Sequence, residues 1–150
     1  MYFISPLFAL FASLIVFIAF SFYFRKRTTN SRQARIEKAF ATRRMLDEQS
    51  FYQKYFQKKG IPMYVAIGVR QVLEEVLAAD LSRLTADDDF TNNLSFFFQD
   101  DSLADVEIIS ELEEKFGIKF NDKDAENMTT VASIVDCVWM KEKQKTKLIP

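Results

Sequence analysis

One stretch, DDSLADVEIISELEEKFG over residues 100–117, decides the fold of this chain. Its apolar side chains recur every three or four residues, as in an amphipathic helix that buries one face. The predicted core positions are Leu103, Val106, Ile109, Leu112 and Phe116. Gly117 is typical of a helix stop, because glycine adopts the left-handed backbone without strain. Ser102 precedes the helix and has the capping-pair spacing to Asp105. The stretch therefore predicts an acidic helix with a serine at its amino end.

Helical patterns continue on both sides of this stretch. Upstream, VRQVLEEVLAAD over 69–80 has an apolar stripe at helical spacing. Downstream, NDKDAEN over 121–127 suits a short helical turn, and Thr129 or Thr130 can cap a last helix. A convincing strand pattern is lacking. The sequence therefore predicts an all-α fold class, with a small bundle of three main helices and one short one over residues 61–143.

The amino end has a different composition. Residues 1–24 contain no charged side chain and are followed by three basic residues, Arg25, Lys26 and Arg27. About 20 apolar residues in a helix match the thickness of a bilayer core. A cleaved signal peptide is the alternative, but it has a basic start and a shorter apolar run. We predict an N-terminal single transmembrane helix over 1–24, membrane lipid as a partner, and a cytoplasmic C-terminal domain, as at a bacterial inner membrane.

Charge is unevenly distributed along the remaining chain. Residues 25–59 contain 11 Lys and Arg against 3 Asp and Glu, whereas residues 60–140 contain 5 against 17. We predict a basic juxtamembrane helix or stalk over 25–60 and a basic tail over 144–150. The stalk could instead pack on the domain or pair with a second copy. The acidic domain excludes nucleic acid as a partner, because it would repel phosphates.

The chain has one cysteine and no histidine. This composition excludes a histidine general base and a zinc site built from histidine and cysteine. The sequence also shows no paired constellation of catalytic residues. It therefore predicts that the protein is not an enzyme.

A longer stretch, DSLADVEIISELEEKFGIKFNDKDAENMTTVASIVDCV over 101–138, resembles the core of acyl carrier proteins. The serine motif, the acidic helix, the glycine stop and the Thr-Thr-Val cap stand in register without a gap. The resemblance implies that Ser102 receives 4′-phosphopantetheine from coenzyme A through a phosphopantetheinyl transferase. Asp101 and Leu103 complete the motif and are assigned to the same cofactor site. The alternative is that Ser102 is a helix cap alone.

The acidic helix also carries charges that folding does not require. The exposed set is predicted to be Asp105, Glu107, Glu111 and Glu114. Like charges three or four residues apart repel each other slightly, so a partner with basic residues is a better reason for them. We predict docking to acyl-transferring or synthase enzymes with basic patches. A solvated helix face is the alternative.

The resemblance implies that part of the bundle core can open to shelter an acyl chain. The residues assigned to this pocket or core are Val106, Ile109, Leu112, Phe116 and Val131. This chain departs from the family pattern by extra residues before the serine, which include Phe96, Phe97 and Phe98. These three side chains are predicted to extend the pocket or contact a partner, or else to tuck onto the core.

These observations predict a membrane-tethered acyl carrier protein. It would carry acyl intermediates as thioesters for fatty-acid, lipid or polyketide-like biosynthesis at the membrane. The alternative is an unmodified carrier-like module that recruits partners to the membrane.

Overall fold

The structure is a computed structural model that describes residues 33–100 and 103–147. Its helices are α1 (33–40), α2 (Glu48–Tyr55), α3 (Met63–Val76), α4 (Phe96–Asp100), α5 (Ala104–Phe116), α6 (Asp122–Asn127) and α7 (Val131–Lys147), with a 3-10 turn (Gln57–Lys59) after α2. The chain forms two compact units, Met1–Glu37 and Lys38–Pro150. The second unit contains α2 to α7.

Helices α3, α5 and α7 contact one another and form the bundle, while the short α6 packs on α7. Helices α3, α5 and α7 each bury an apolar stripe, because side chains three or four residues apart share a face. The buried stripe of α3 includes Val65, Val69, Val72 and Leu73, and that of α7 includes Val131, Ile134, Val135 and Val138. The predicted bundle of three main helices and one short helix is present in the structure.

Helices α3 and α5 approach each other closely at Gly68. A Cβ atom at this position would lie 2.7 Å from Cζ of Phe116, which is far inside van der Waals contact. A glycine in the middle of a helix costs stability, so its presence here is explained by the close helix crossing. Gly117 ends α5 with a φ of 59°, as the sequence predicts.

The start of α7 is held by a reciprocal cap. The hydroxyl of Thr130 accepts from the N–H of Ser133 at 3.1 Å, and the hydroxyl of Ser133 accepts from the N–H of Thr130 at 2.9 Å. This arrangement confirms the capping role predicted for one of the two threonines. In the described ranges, β structure is limited to one bridge between Asp89 and Thr130, which ties the loop before α4 to α7.

The structure corrects the predicted transmembrane fold class and the single-pass membrane localisation. In residues 33–100 and 103–147, no helix combines the length and the apolar character needed to cross a bilayer. The longest helix there, α7, has 17 residues and a lysine-rich end, whereas a span needs about 20 mostly apolar residues. The fold class is therefore corrected to a mostly helical one without a spanning helix in the described part. The predicted anchor, residues 1–24, lies outside that part.

The basic segment predicted as one continuous stalk helix is broken in the structure. Helix α1 ends at residue 40, and α2 begins only at Glu48. Asp47 caps α2 by accepting a hydrogen bond from the N–H of Ser50 at 2.7 Å. The loop between the two helices is fixed by tertiary contact, because the N–H of Leu46 donates to the carbonyl of Ser82 at 2.7 Å.

The second half of this segment packs on the bundle. Phe51 and Phe56 have no exposed surface, and the guanidinium of Arg70 on α3 lies 5.2 Å from the centre of the Phe51 ring. Arg70 also donates through Nη1 to the carbonyl of Leu46 at 3.0 Å. Packing on the domain, the alternative to a free stalk, is therefore what the structure shows for the part of the segment around α2. The segment packs on the domain because burial of these two phenylalanines against α3 outweighs the helix propensity that would favour one long helix.

Candidate functional site

The amino end of α5 is where the sequence places the functional serine. Asp101 and Ser102 lie outside the described residues, and the described chain resumes at Leu103. Leu103 is the N-cap residue of α5, and 67% of its surface is exposed. The carboxylate of Asp105 accepts a hydrogen bond from the N–H of Val106 at 2.8 Å. The residue that follows the predicted attachment point is therefore open to solvent.

The buried face of α5 differs from the predicted one. The buried positions are Ala104, Ile108, Leu112 and Phe116. Val106 is 63% exposed and Ile109 is half-buried, so the predicted core stripe was wrong at its amino-terminal half. Both sets recur at helical spacing, and periodicity alone does not select between them. Leu103 was predicted to be in the core, but it precedes the helix, and the first buried side chain of α5 is that of the small Ala104.

A cavity of about 480 Å³ lies beside α5. This volume falls in the range of small-ligand pockets, roughly 300–1,000 Å³. Its lining consists of Phe90, Thr91, Phe98, Asp105, Val106, Ile108, Ile109, Leu112, Ala125, Glu126, Met128, Thr129 and Ile134. The structure therefore brings three residues of the predicted pocket together, Val106, Ile109 and Leu112. The other two, Phe116 and Val131, are buried but do not line this cavity.

The three phenylalanines before the serine have three different surroundings. They form the start of α4 rather than a loop. Phe97 has no exposed surface, and its ring stacks on that of Phe96 with centroids 4.5 Å apart. Phe98 lines the cavity and packs against Phe90 with centroids 5.5 Å apart. The extra residues thus supply one core side chain and one cavity wall.

The carboxylates of α5 separate into two groups. Asp105, Glu107, Glu111 and Glu114, the predicted docking residues, are all exposed. Glu113 instead accepts hydrogen bonds from Nζ of Lys119 and from the N–H of Phe120. The bond from Lys119, followed by that from Phe120, lowers the pKa of Glu113 below its ordinary value. Glu113 therefore stabilises the turn after α5, and the other four remain available to solvent.

Sequence reasoning missed Asp88, which organises the loop before α4. Its carboxylate is almost fully buried and accepts from Nη1 of Arg43 at 2.6 and 2.8 Å. It also accepts from the N–H of Thr85 and from Nδ2 of Asn93, each at 2.7 Å. A partner 45 residues away in the sequence leaves no local signal. This network positions the segment that leads into Phe90 and the cavity.

Comparison with known proteins agrees with this geometry. A family model described as "Phosphopantetheine attachment site" matches residues 68–138. The acyl carrier protein of Exiguobacterium sp. is 35% identical over 71 residues, which cover 47% of this chain and 85% of that protein. The meromycolate extension acyl carrier protein of Mycobacterium leprae is 30% identical over 80 residues, 53% of this chain and 66% of that protein.

The family implies a 4′-phosphopantetheine prosthetic group. Members are carriers rather than catalysts, and they interact with phosphopantetheinyl transferases and acyl-handling synthases. The described residues fit such a group, since an exposed helix start adjoins a largely apolar cavity. With 35% identity across 85% of a known carrier, this chain belongs to the acyl carrier protein family.

Proposed function

We propose that this protein carries acyl intermediates as thioesters on 4′-phosphopantetheine attached to Ser102, for fatty-acid, lipid or polyketide-like biosynthesis. The observation that carries the proposal is the cavity of about 480 Å³ along α5, the helix that begins two residues after the serine. The prosthetic group supplies a terminal thiol for the thioester. The protein itself supplies the position and the shelter.

The cavity supports an apolar tail as its occupant. Val106, Ile109 and Leu112 line it from α5, and the paired rings of Phe90 and Phe98 line it from the preceding segment. Burial of apolar surface drives such binding, at about 25 cal/mol per Å². A tail held there would be protected from water until a partner enzyme draws it out.

The exposed carboxylates of α5 support an electrostatic docking surface. Asp105, Glu107, Glu111 and Glu114 are exposed, and Asp101 belongs to the same acidic stretch in the sequence. Such charges raise association rates and orient partners more than they raise affinity. We expect the transferase and the acyl-handling enzymes to present basic residues to this helix.

Intact mass spectrometry tests the attachment site. The full chain is coexpressed with a phosphopantetheinyl transferase of broad specificity, and the mass is compared with that of the chain alone. We expect the mass of one 4′-phosphopantetheine group to be added to the wild type and to Ser110→Ala, which changes an exposed serine of the same helix. Ser102→Ala should gain nothing.

Two results would contradict the proposal. A gain that persists in Ser102→Ala would place the group on another residue. The absence of a gain with several transferases would instead favour an unmodified module that binds partners without carrying cargo.

A further inference from the structure

One wall of the cavity beside α5 is formed by loops. Phe90 and Thr91 line it from the loop between α3 and α4, and Thr129 lines it from the segment before α7. The N–H of Phe90 donates to the carbonyl of Thr129 at 2.9 Å, which joins the two segments at the cavity. A loop has no regular ladder of hydrogen bonds, so its shape depends on specific contacts. The shape of the cavity therefore depends on what holds the loop that carries Phe90.

Asp88 holds this loop on both sides of Phe90. Its carboxylate accepts from Nδ2 of Asn93 at 2.7 Å, and Oδ1 of Asn93 accepts from the N–H of Asp89 at 2.8 Å. The carbonyl of Asp88 accepts from the N–H of Val131 at 3.0 Å. These bonds close the loop around Phe90 and fasten it to the start of α7. The position of the Phe90 ring at the cavity follows from them.

Arg43 supplies the positive charge that pairs with Asp88. Its Nη1 lies 2.6 and 2.8 Å from the two carboxylate oxygens of Asp88, a side chain that is only 1% exposed. The guanidinium lies 5.1 Å from the centre of the buried Phe40 ring, and the N–H of Arg43 donates to the carbonyl of Phe40 at 3.0 Å. A buried carboxylate without a charge partner is costly. Without Arg43 it would move toward water and break the bonds that close the loop.

Arg43 lies outside the part of the chain that matches the carrier family. The match begins at residue 68, whereas Arg43 follows α1 and precedes α2. Neither Arg43 nor Phe40 lines the cavity beside α5. The segment before the matched region therefore reaches this cavity through an ion pair and a loop, and not by direct contact with its contents.

We propose that Arg43 is a positioning residue that sets the width of the acyl cavity, and thereby the range of acyl chains that the protein shelters. It acts through Asp88 on the loop that carries Phe90. The inference rests on the proposed role of this cavity as the acyl site. Cargo selection then depends in part on a segment that the matched carrier region does not contain.

Titration calorimetry of the full chain with 1-octanol tests this role and needs no modification of Ser102. We expect Arg43→Met to weaken octanol binding about fivefold, because a loosened loop must be ordered again before it packs on the ligand. Arg43→Lys should stay within about twofold of the wild type, because a single nitrogen makes both contacts to Asp88 and an ammonium can replace it. Ile109→Trp should abolish binding by filling the cavity that Ile109 lines.

Phe51→Leu is the matched control for stability. It removes buried surface from α2, and Phe51 does not line the cavity. We expect it to lower the thermal unfolding midpoint and to leave octanol binding unchanged at a temperature where every variant is folded. If Arg43→Met does not fold, Arg43→Gln takes its place with the same expectation, because it keeps a hydrogen-bond donor and removes only the charge.

Several outcomes would overturn the inference. A lower unfolding midpoint in the Arg43 variant with octanol binding of wild-type strength would show a merely structural role. Equal weakening in Phe51→Leu would show that binding follows overall stability. No binding to the wild type at millimolar octanol, or binding that survives Ile109→Trp, would refute the cavity as the apolar site. The intact-mass comparison with Ser102→Ala tests the attachment site separately, so failure of one proposal is distinguishable from failure of the other.

Discussion

At the residue scale, the charge of the buried Asp88 carboxylate is balanced by Arg43, which lies 45 residues earlier in the sequence. Its Oδ atoms accept from Arg43, and the N–H of Thr85 and the amide of Asn93 complete its hydrogen bonds. Its own carbonyl accepts from the N–H of Val131 at 3.0 Å. One side chain thus couples the segment before α2, the loop before α4 and the start of α7.

Replacing Arg43 with methionine should leave the carboxylate of Asp88 buried without its cation. The full cost of breaking a buried pair is about 3–5 kcal/mol, and because 28% of the Arg43 side chain is exposed we expect about 2–3 kcal/mol. Urea unfolding of the full chain measures the change. Arg44→Met is the control, because this neighbouring arginine is exposed and should cost about 0.5 kcal/mol or less. Equal effects of the two variants would contradict the role assigned to Asp88.

Gly68 gives a second prediction at this scale. In Gly68→Ala the new Cβ would lie 2.7 Å from Phe116, an overpacking that costs about 1–3 kcal/mol against a gain of about 1 kcal/mol in helix propensity. We therefore expect a net loss of about 1 kcal/mol in unfolding free energy. In a Phe116→Leu background the same substitution should become neutral or stabilising. A loss that is unchanged by Phe116→Leu would show that the contact does not explain the glycine.

At the scale of elements, the short helix α4 contains one phenylalanine that stabilises the fold and another that lines the proposed acyl cavity. Phe97→Ala should destabilise the fold by about 3–5 kcal/mol, because this side chain is fully buried. Phe98→Ala should cost less, because Phe98 is half-buried, and it should enlarge the cavity that Phe98 lines. The unfolding midpoint is measured for chains loaded with acyl groups of increasing length. The length that stabilises most should increase in Phe98→Ala, and no shift would contradict the assignment of Phe98 to the cavity wall.

Helix α5 gives a prediction about docking. Glu111→Lys reverses an exposed charge on the face that we assign to partners, so transfer of phosphopantetheine should slow several-fold at low salt and less at high salt. Glu75→Lys is the control, because it makes the same change in net charge at an exposed position of α3. Initial rates over a range of ionic strength distinguish the two. Equal slowing of both variants would point to net charge rather than to a docking face.

The same elements show what sequence reasoning could predict. The bundle, the glycine stop at Gly117 and the Thr130 cap follow from local patterns, and the structure confirms them. The side of α5 that faces the core could not be predicted from these patterns. The buried row of side chains begins at Ala104, which is too small to give a clear hydrophobic signal. The location of Ser102 at the head of α5 stays a prediction from the motif.

On the scale of the whole molecule, the features that the sequence did not predict depend on contacts between residues far apart in the chain. Arg43 and Asp88 are 45 residues apart, and no periodicity reveals their pairing. The loop between α1 and α2 is held by the hydrogen bond from the N–H of Leu46 to the carbonyl of Ser82. These two residues are also too far apart in the sequence for a local pattern to reveal their contact. The acidic face was easier to anticipate, because helical spacing alone brings its residues together. The cavity was expected only from the resemblance to acyl carrier proteins, and side chains from several elements line it.

The compact unit that contains the bundle begins at Lys38, so a fragment cut at residue 61, the predicted start of the domain, should be unstable. It would lose Phe51 and Phe56, whose full burial contributes about 1.5–3 kcal/mol each, and it would leave Asp88 without Arg43. Together these losses approach the total stability of a small domain, about 5–15 kcal/mol. We expect residues 61–150 to lack a cooperative thermal transition by circular dichroism, while residues 38–150 retain one. A fragment 61–150 as stable as 38–150 would show that the segment around α2 is an appendage, although its two phenylalanines are fully buried.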